Sequence, residues 1–496
     1  MSDLVLAIDQ GTTGSTIALM DAGGRLLTSV NHEFPQIFPQ PGWVEHDPDS
    51  IWESVEKGLS AVFADGTYNP ADISAIGITN QRETAVLWDA ETGKAVHNAI
   101  VWQCRRTTDV CEKLKSDGHE ALIKARSGLV LDPYFSATKF KWLLDNGADT
   151  QDLLNQGRLR AGTIDSYLIW RLSAGQAHKT DVSNASRTSL MALDSLSWDD
   201  ELLSIFGVPR TILPEICPSS GRFAVTKDVA GLPDGIPISG VAGDQQSALF
   251  GQACFGIGDA KCTFGTGSFI LMNAGDTPVA SNSGLLSTVA WQLDGERAVY
   301  ALEGGAFVCG AAVQWLRDQL GIIQSAPEVE ALAQTVDDAG GVEFVPALAG
   351  LGAPYWAPEA RGTLTGLTRG SGRGEIARAT LDAMALQNVD ILRAMEKDIG
   401  SRMHSLKVDG GASANNFLMQ LQADYLDRPI TRPEVIETTV AGACFLAGLG
   451  EGVWSSPDEV AKVWRSDRSF DVGITDEART SRFASWQSAV AKTLLN

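Results

Sequence analysis

The chain of 496 residues is 44% hydrophobic and 20% charged, which is ordinary for a globular protein of about two to four domains. Its 39 Lys and Arg against 61 Asp and Glu give a formal net charge of −22, which opposes unspecific binding to nucleic acid or an anionic membrane. We expect a cytoplasmic protein with reduced thiols and no membrane span, because no apolar run reaches about 18 residues, the N-terminus carries Asp3 and Asp9 instead of basic residues, and the seven cysteines form no C-x-x-C pair.

The first predicted element is a β-hairpin, with strands at residues 4–8 and 16–20 around a turn of small and hydroxylated residues at 9–15. Small residues allow backbone N–H groups and hydroxyls to close around an anion. About half a chain later, residues 263–268 nearly repeat this turn between apolar residues. One such hairpin could equally be a structural turn. Two copies indicate an enzyme that binds a nucleotide between two related lobes.

Four polar clusters lie at or just past predicted strand ends, at residues 80–83, 102–103, 132–135 and 243–246. In open α/β sheets, ligands bind beyond the carboxyl ends of the strands. Each cluster alone has a structural interpretation, as a surface ion pair, a core aromatic residue or a turn carboxylate. Together they favour a polyol site, because adjacent Arg and Glu can bind neighbouring hydroxyls while aromatic rings cover C–H surface.

Strand-like runs at residues 4–8, 76–79, 238–242, 342–346 and 406–409 alternate with amphipathic helical stretches such as residues 376–396. This alternation is typical of an α/β protein. The division falls near residue 250, which predicts an N-terminal lobe of residues 1–250 and a C-terminal lobe of residues 251–496. If each lobe supplies one phosphate turn, the site lies in the cleft between them, and cleft closure becomes part of the mechanism.

A third Gly-rich element covers residues 408–416, where a predicted strand ends and a helix at 417–425 begins. Its Gly-Gly pair permits close approach of a flat ligand, although a plain turn with a Ser or Asn N-cap has the same pattern. Beside the two hairpins, this element favours adenosine binding. No P-loop, no helix-opening G-x-G-x-x-G, no H-R-D loop and no metal-ligand spacing of the six histidines occurs, so other common nucleotide and zinc sites are not predicted.

An ordered set of runs extends over nearly the whole chain: AIDQGTTGS, PGWVEHDP, GITNQRET, AIVWQCRRT, DPYFSATKFKWLLDN, NASRT, ISGVAGDQQSALFGQ, FGTGSFILMN, ALEGGAFVCGAAVQWLRD, PALAGLGAPYW and VDGGASANNFLMQLQAD. This set resembles the FGGY carbohydrate kinase family. The runs NQRET, DPYFS and AGDQQ, in this order, resemble the corresponding runs of the family members that phosphorylate glycerol. The resemblance implies a two-lobed, actin-like (ribonuclease H-like) ATPase fold with a duplicated core and with ATP in the interlobe cleft.

The resemblance also implies roles for particular residues. Those expected to bind or cover glycerol are Arg82, Glu83, Trp102, Tyr134, Asp244, Gln245 and Phe269. Those expected around ATP are Thr12, Thr13, Gly14 and Thr266 at the phosphates, and Gly310, Gln314, Gly411 and Asn415 at the adenosine. Asp9 and Asp244 are expected at Mg²⁺, Asp9 through water, and Asp244 is the expected general base.

The activity implied is transfer of the ATP γ-phosphoryl group to glycerol, giving sn-glycerol 3-phosphate and ADP, the first step of glycerol catabolism. The alternatives are a family kinase for another polyol or sugar, and a nucleotide switch of the actin or Hsp70 type. Dimers and tetramers of the family imply a homo-oligomer.

This sequence departs from many relatives in three places. Gly14 and Thr16 replace a Ser and a phosphate-binding Arg, which predicts weaker nucleotide affinity or a compensating basic residue elsewhere. Enteric relatives bind fructose 1,6-bisphosphate through a basic loop, but residues 231–237 contain no Lys or Arg. Some relatives are activated by phosphorylation of a His in this region, but no His lies between His178 and His404. We expect neither kind of control.

Overall fold

A computed structural model describes residues 4–495. The N-terminal half forms these helices and strands in chain order: β1 (Leu4–Gln10), β2 (Gly14–Asp21), β3 (Leu26–Glu33), β4 (Glu45–His46), α1 (Pro48–Phe63), β5 (Ile73–Asn80), β6 (Ala85–Asp89), β7 (Ala99–Ile100), α2 (Thr108–Ser116), α3 (Glu120–Ser127), α4 (Ser136–Asn146), α5 (Thr150–Asn155), β8 (Leu159–Thr163), α6 (Ile164–Leu172), β9 (Lys179–Asp181), α7 (Val182–Ala185), β10 (Met191–Ala192), β11 (Ser197–Trp198), α8 (Asp200–Phe206), β12 (Glu215–Cys217), β13 (Ser220–Val225), β14 (Pro237–Gly243) and α9 (Asp244–Gly251).

The C-terminal half continues with β15 (Ala260–Phe264), β16 (Ser268–Gly275), β17 (Leu286–Trp291), β18 (Val299–Ala306), α10 (Gly310–Asp318), α11 (Glu328–Ala333), β19 (Glu343–Val345), β20 (Thr363–Thr365), α12 (Arg373–Ile399), β21 (Leu406–Asp409), α13 (Asn416–Leu426), β22 (Ile430–Pro433), α14 (Thr438–Gly450), α15 (Pro457–Val463), β23 (Ser466–Phe470) and α16 (Asp476–Leu494). The predicted strands at 76–79, 238–242 and 406–409 lie within β5, β14 and β21, and the helix predicted at 376–396 lies within α12.

The two largest sheets repeat one topology. The N-terminal sheet has the strand order β13-β14-β5-β1-β2-β3, and the C-terminal sheet has the order β17-β18-β16-β15-β21-β22-β23. In each sheet an antiparallel hairpin (β1 with β2, β15 with β16) is followed by parallel neighbours (β5 and β14, β21 and β22). The duplicated core predicted from the two Gly-rich turns is therefore present. Because parallel strands end at one edge of a sheet, residues that follow β1, β5 and β14 converge.

Two helices join the lobes. Helix α14 of the C-terminal half packs on β1, β5 and β14 of the N-terminal sheet and crosses α9. Small residues permit this crossing: a Cβ atom added at Gly442 of α14 would lie 1.8 Å from the carbonyl oxygen of Ser247 in α9, and one at Gly251 would lie 2.0 Å from the carbonyl oxygen of Thr438. Within residues 4–495, no helix is both long and apolar enough to cross a lipid bilayer.

Replacement of Gly442 by Ala should destabilise both lobes by about 1–3 kcal/mol, because the new methyl group meets backbone that cannot rotate away. The check is the midpoint of thermal unfolding, measured beside Gly370→Ala. A Cβ atom at Gly370 meets only the Thr368 hydroxyl oxygen, at 3.7 Å. Equal midpoints for the two variants would contradict the close crossing of α14 and α9.

Candidate active site

The first Gly-rich turn is closed by its own backbone. The Gly11 N–H donates to the Gly14 carbonyl oxygen at 2.9 Å. The Gln36 side chain donates to the Thr12 carbonyl oxygen at 3.0 Å, and the Phe34 N–H donates to that of Thr13 at 3.2 Å. These contacts use carbonyl oxygens as acceptors, so they do not occupy the hydroxyls of Thr12 and Thr13. This geometry suits binding of an anion.

The second turn is also closed by its own backbone, across one residue fewer. The Gly265 N–H donates to the Gly267 carbonyl oxygen at 2.9 Å, and the carbonyl oxygen of Thr266 accepts from the N–H groups of Cys309 and Ala311 at 2.8 and 3.0 Å. Gly310 starts α10 directly against this turn, since a Cβ atom there would lie 2.6 Å from the Gly265 carbonyl oxygen. The N-terminus of α10 is thereby fixed beside the second phosphate turn.

The third Gly-rich element adjoins the second turn. Gly410 has φ of 84°, and its α-carbon lies so near Phe264 that a Cβ atom would be 2.7 Å from the Phe264 carbonyl oxygen. Asn415 is the N-cap of α13 and accepts from the Leu418 N–H at 2.8 Å, so the N-cap interpretation of this residue is correct. Gly411 and Gln314 are exposed. The residues predicted at adenosine therefore border an open surface next to the second turn, and their binding roles stay predictions.

The predicted polyol residues converge at the carboxyl ends of β5 and β14. The prediction that residues 132–135 follow a strand is wrong, because they lie in the connection between α3 and α4, from which Tyr134 reaches Arg82. The Arg82 Nε atom lies 2.9 Å from Asp244 Oδ1 and 3.9 Å from Glu83 Oε1, and its Nη2 atom lies 3.5 Å from the Tyr134 hydroxyl. Glu83 has φ of 61°, a left-handed conformation that is uncommon for a residue with a side chain and that clusters at functional sites. The Asp244 side chain is 34% exposed, whereas that of Arg82 is 2% exposed. Asp244 is thus the more accessible member of this pair.

Aromatic residues connect the polyol cluster to the first phosphate turn. The Trp102 indole N–H donates to the Thr12 hydroxyl at 3.0 Å, and the Trp102 ring meets the Tyr134 ring edge to face with centroids 5.8 Å apart. Phe269 of β16 lies opposite Gly305 of β18. It is on the same face of the C-terminal sheet as Glu303. A hydroxyl acceptor bound between these rings would therefore lie next to the predicted phosphate position.

A buried ion network lies behind the polyol cluster of Arg82, Glu83, Tyr134 and Asp244. The sequence predicted no role for the other members of this network. Glu303 of β18 binds Arg82 through both carboxylate oxygens, at 2.6 and 2.9 Å, and binds Arg187 at 3.2 Å. The Arg187 Nε atom in turn donates to Glu83 Oε1 at 2.7 Å. Burial alone would raise the pKa of the Glu303 carboxyl, but the guanidinium groups of Arg187 and Arg82 hold it at about 2. The available sequence signal was a single charged residue within an apolar strand.

Lys261 is a further buried charged residue to which the sequence interpretation assigned no role. Its ammonium group donates to the Gln245 side-chain oxygen and, at 2.8 Å, to the Thr263 hydroxyl. Burial lowers the pKa of Lys261, against the opposing influence of Asp409 and Asp244. The bond to the Gln245 oxygen leaves the amide N–H donors of that side chain for other partners.

The position where relatives carry a phosphate-binding Arg has a local partner in this chain. The Thr16 hydroxyl accepts a hydrogen bond from the Asn31 side chain at 2.9 Å. A Cβ atom at Gly14 would lie 2.9 Å from the Asn31 side-chain oxygen, so Asn31 occupies the space beside both residues. Lys261 is a basic side chain beside the second turn, but it is buried and its ammonium group is bonded to Gln245 and Thr263.

Asp9 lies at the end of β1 beside other carboxylates. Burial, together with the charges of Asp244 and Glu437, raises its pKa to about 8. Across residues 4–495, no group of three or more His, Cys, Asp and Glu could hold a metal ion by itself. Mg²⁺ commonly keeps several waters and binds one or two carboxylates together with substrate phosphates. The oxygen donors of Asp9 and Asp244 fit a magnesium ion of this kind.

The duplicated sheets, the paired phosphate turns and the polyol cluster define a two-lobed α/β protein of the sugar kinase class. Residues 4–251 match the N-terminal domain and residues 260–451 the C-terminal domain of the FGGY family of carbohydrate kinases. The chain belongs to this family. Its two-lobed fold is consistent with the actin-like ATPase fold that the resemblance implied.

Two relatives and one solved structure show which members of the family this chain is similar to. The chain is 57% identical over 492 residues to a glycerol kinase of Bdellovibrio bacteriovorus, which covers 99% of both chains. It is 55% identical over 488 residues to a glycerol kinase of Symbiobacterium thermophilum, covering 98% of both chains. The crystal structure of Plasmodium falciparum glycerol kinase with ADP superimposes with a TM-score of 0.94 at 35% identity, covering 100% of this chain and 99% of that one.

Proposed function

We propose that this chain transfers the γ-phosphoryl group of ATP to a terminal hydroxyl of glycerol, yielding sn-glycerol 3-phosphate and ADP. The proposal rests on the position of the Arg82 and Asp244 pair beside the first phosphate turn. The Arg82 Nε and Asp244 Oδ1 atoms are 2.9 Å apart. Trp102 connects this cluster to the turn, because its indole N–H donates to the Thr12 hydroxyl. The full-length identity of 57% to a glycerol kinase supports glycerol as the acceptor.

Each group has a chemical task in this proposal. Asp244 accepts the proton of the attacking hydroxyl, while Arg82 and Glu83 hold the neighbouring hydroxyls and Trp102 covers the carbon edge. Because the transition state of phosphoryl transfer is loose, the alignment of donor and acceptor supplies most of the acceleration, and base catalysis adds about 10²–10⁴-fold. Mg²⁺, held by Asp9 through water and by Asp244, would neutralise phosphate charge.

The assignment of ATP follows the position of the three Gly-rich elements. The hydroxyls of Thr12, Thr13 and Thr266 and the N–H of Gly14 bind the phosphates, and Gly310, Gln314, Gly411 and Asn415 border the adenosine. Water competes with glycerol for the γ-phosphoryl group, so closure of the lobes on glycerol should suppress hydrolysis of ATP.

The decisive experiment is ADP release from Mg-ATP by the purified protein, alone and with glycerol, xylulose, ribulose, erythritol or gluconate. Turnover that depends on glycerol and exceeds that with every other acceptor supports the proposal. Turnover chiefly with a longer acceptor keeps the kinase and rejects glycerol. Hydrolysis that no polyol increases would favour a nucleotide switch.

Three further features belong to this proposal. The functional lobes are residues 1–250, with the polyol site and first phosphate turn, and residues 251–496, with the second turn and adenosine site. The protein is cytoplasmic, and it forms a dimer or tetramer. Light scattering during size-exclusion chromatography measures the mass of the assembly.

A further inference from the structure

We infer that Glu303 is a positioning residue of the polyol site, bound across the cleft so that one carboxylate of the C-terminal lobe orients the charged side chains of the N-terminal lobe. The inference rests on the proposed function and adds a residue to it. Glu303 is 3% exposed and lies on β18 of the C-terminal sheet. Its two partners, Arg82 and Arg187, both belong to the N-terminal half, and both are buried.

The planar guanidinium group of Arg82 explains how Glu303 acts on the site. Glu303 accepts from Nη1 at 2.6 Å and from Nη2 at 2.9 Å, and these two bonds fix the plane of the group. Gln246 accepts a further bond from Nη1 at 3.2 Å. With this edge held, Nε is directed at Asp244, 2.9 Å away. The orientation of Arg82 toward the cleft therefore depends on a residue that does not itself face the ligand.

Glu303 reaches the second charged polyol residue through Arg187. Two Nη atoms of Arg187 lie 3.2 Å from the Glu303 carboxylate, and its Nε donates to Glu83 at 2.7 Å. One carboxylate thus holds both guanidinium groups, and Arg187 holds Glu83. Without Glu303, two buried cations would face each other with Glu83 as the remaining buried carboxylate that contacts Arg187. We expect Arg82 to turn toward Glu83, which disturbs both polyol contacts.

The nucleotide end of the cleft is held by other contacts. Thr266 and Gly265 are fixed by backbone bonds from Cys309, Gly310 and Ala311, none of which involves Glu303. A positioning role at the polyol end therefore predicts a selective effect. The KM for glycerol should change, and the KM for ATP should not.

The test is Glu303→Gln, which keeps the shape of the side chain and removes its charge. We expect the KM for glycerol to rise by about 10- to 100-fold, since loss of one partner leaves buried charges unpaired. The KM for ATP should stay within about twofold. The matched control is Glu343→Gln, which breaks a half-buried pair with Arg482 at 2.6 Å in the C-terminal lobe. This control should leave both KM values unchanged.

A second variant guards against loss of folding. Arg187→Lys keeps the positive charge but loses the fork that joins Glu303 to Glu83, so the same selective rise in the glycerol KM is expected. An unchanged glycerol KM in Glu303→Gln, equal rises in both KM values, or failure of both variants to fold would overturn the inference. The KM is measured for whichever polyol the wild type phosphorylates, so rejection of glycerol as substrate is recognised separately in the wild type.

Discussion

Asp244→Asn is expected to lower kcat for glycerol phosphorylation by about 10²–10⁴-fold, the usual contribution of a general base. Asp244 is the first residue of α9, directly after β14, and its Oδ1 atom lies 2.9 Å from Arg82 Nε. An amide has nearly the same shape as the carboxylate but cannot accept the proton of the attacking hydroxyl. Turnover should therefore fall far more than nucleotide affinity, which should stay within about threefold.

Two measurements check this prediction, steady-state ADP release with saturating glycerol and calorimetric titration with ADP. Asp234→Asn is the matched control, because Asp234 precedes β14 at its opposite end and pairs with Lys227 at the surface. Near-normal turnover in Asp244→Asn would remove Asp244 from the role of base. A parallel loss of ADP affinity would instead identify Asp244 as a residue that holds the nucleotide end together.

The elements that could be predicted from the sequence are those whose information is local. A turn of Gly and Thr between two apolar runs specifies a hairpin wherever it occurs, and β1 with β2 and β15 with β16 form the two expected hairpins. The helix predicted at residues 376–396 extends three residues farther at each end, to Arg373 and Ile399. Its N-terminus is set by Gly372, whose N–H binds the Glu375 side chain at 2.8 Å. Such capping contacts move the end of a helix without changing its hydrophobic pattern.

The convergence of two polar clusters, residues 80–83 and 243–246, could also be predicted, because they follow the neighbouring parallel strands β5 and β14. The positions of residues 102–103, after the antiparallel strand β7, and of residues 132–135, between α3 and α4, depend on the assembled fold. The residues behind the clusters could not be assigned roles. Glu303 meets Arg82 across 221 residues of chain and Arg187 across 116, and no local pattern specifies such a partner. Lys261 likewise has the residue type of an exposed strand position, but it is buried against Gln245. The partners of such buried charges come together only when the two lobes assemble around the cleft, so the local sequence does not reveal them.

The polar floor of the cleft also has a cost for stability, which is visible at Asp9. Its pKa is raised from 3.8 to about 8, so the folded protein binds a proton there that the unfolded chain releases near pH 4. Between these two pH values the folded state binds more protons than the unfolded state, and its stability falls as the pH rises. Above about pH 8 both states are ionised at this residue, and the loss is complete.

Asp9→Asn should therefore change activity and stability in opposite directions. Without the carboxylate, turnover of Mg-ATP should fall by about 10²–10³-fold, as expected for loss of a preorganised electrostatic contact. Without nucleotide, the variant should unfold at a higher temperature than the wild type. This difference should grow from pH 5 to pH 8 and then level off, because the neutral amide avoids the cost of the charge beside Asp244 and Glu437.

Melting temperatures of the two proteins across this pH range, in buffer with EDTA, measure the effect. Asp21→Asn is the control of opposite sign, because bonds from Arg25 outweigh partial burial and lower the pKa of Asp21. An acid with a lowered pKa stabilises the fold above pH 4, so its loss should lower the melting temperature without a trend between pH 5 and 8. A variant Asp9→Asn that melts below the wild type at pH 8 would contradict the crowding of carboxylates in the cleft. A stabilised but inactive variant would show that the carboxylate is kept for phosphoryl transfer at the expense of the fold.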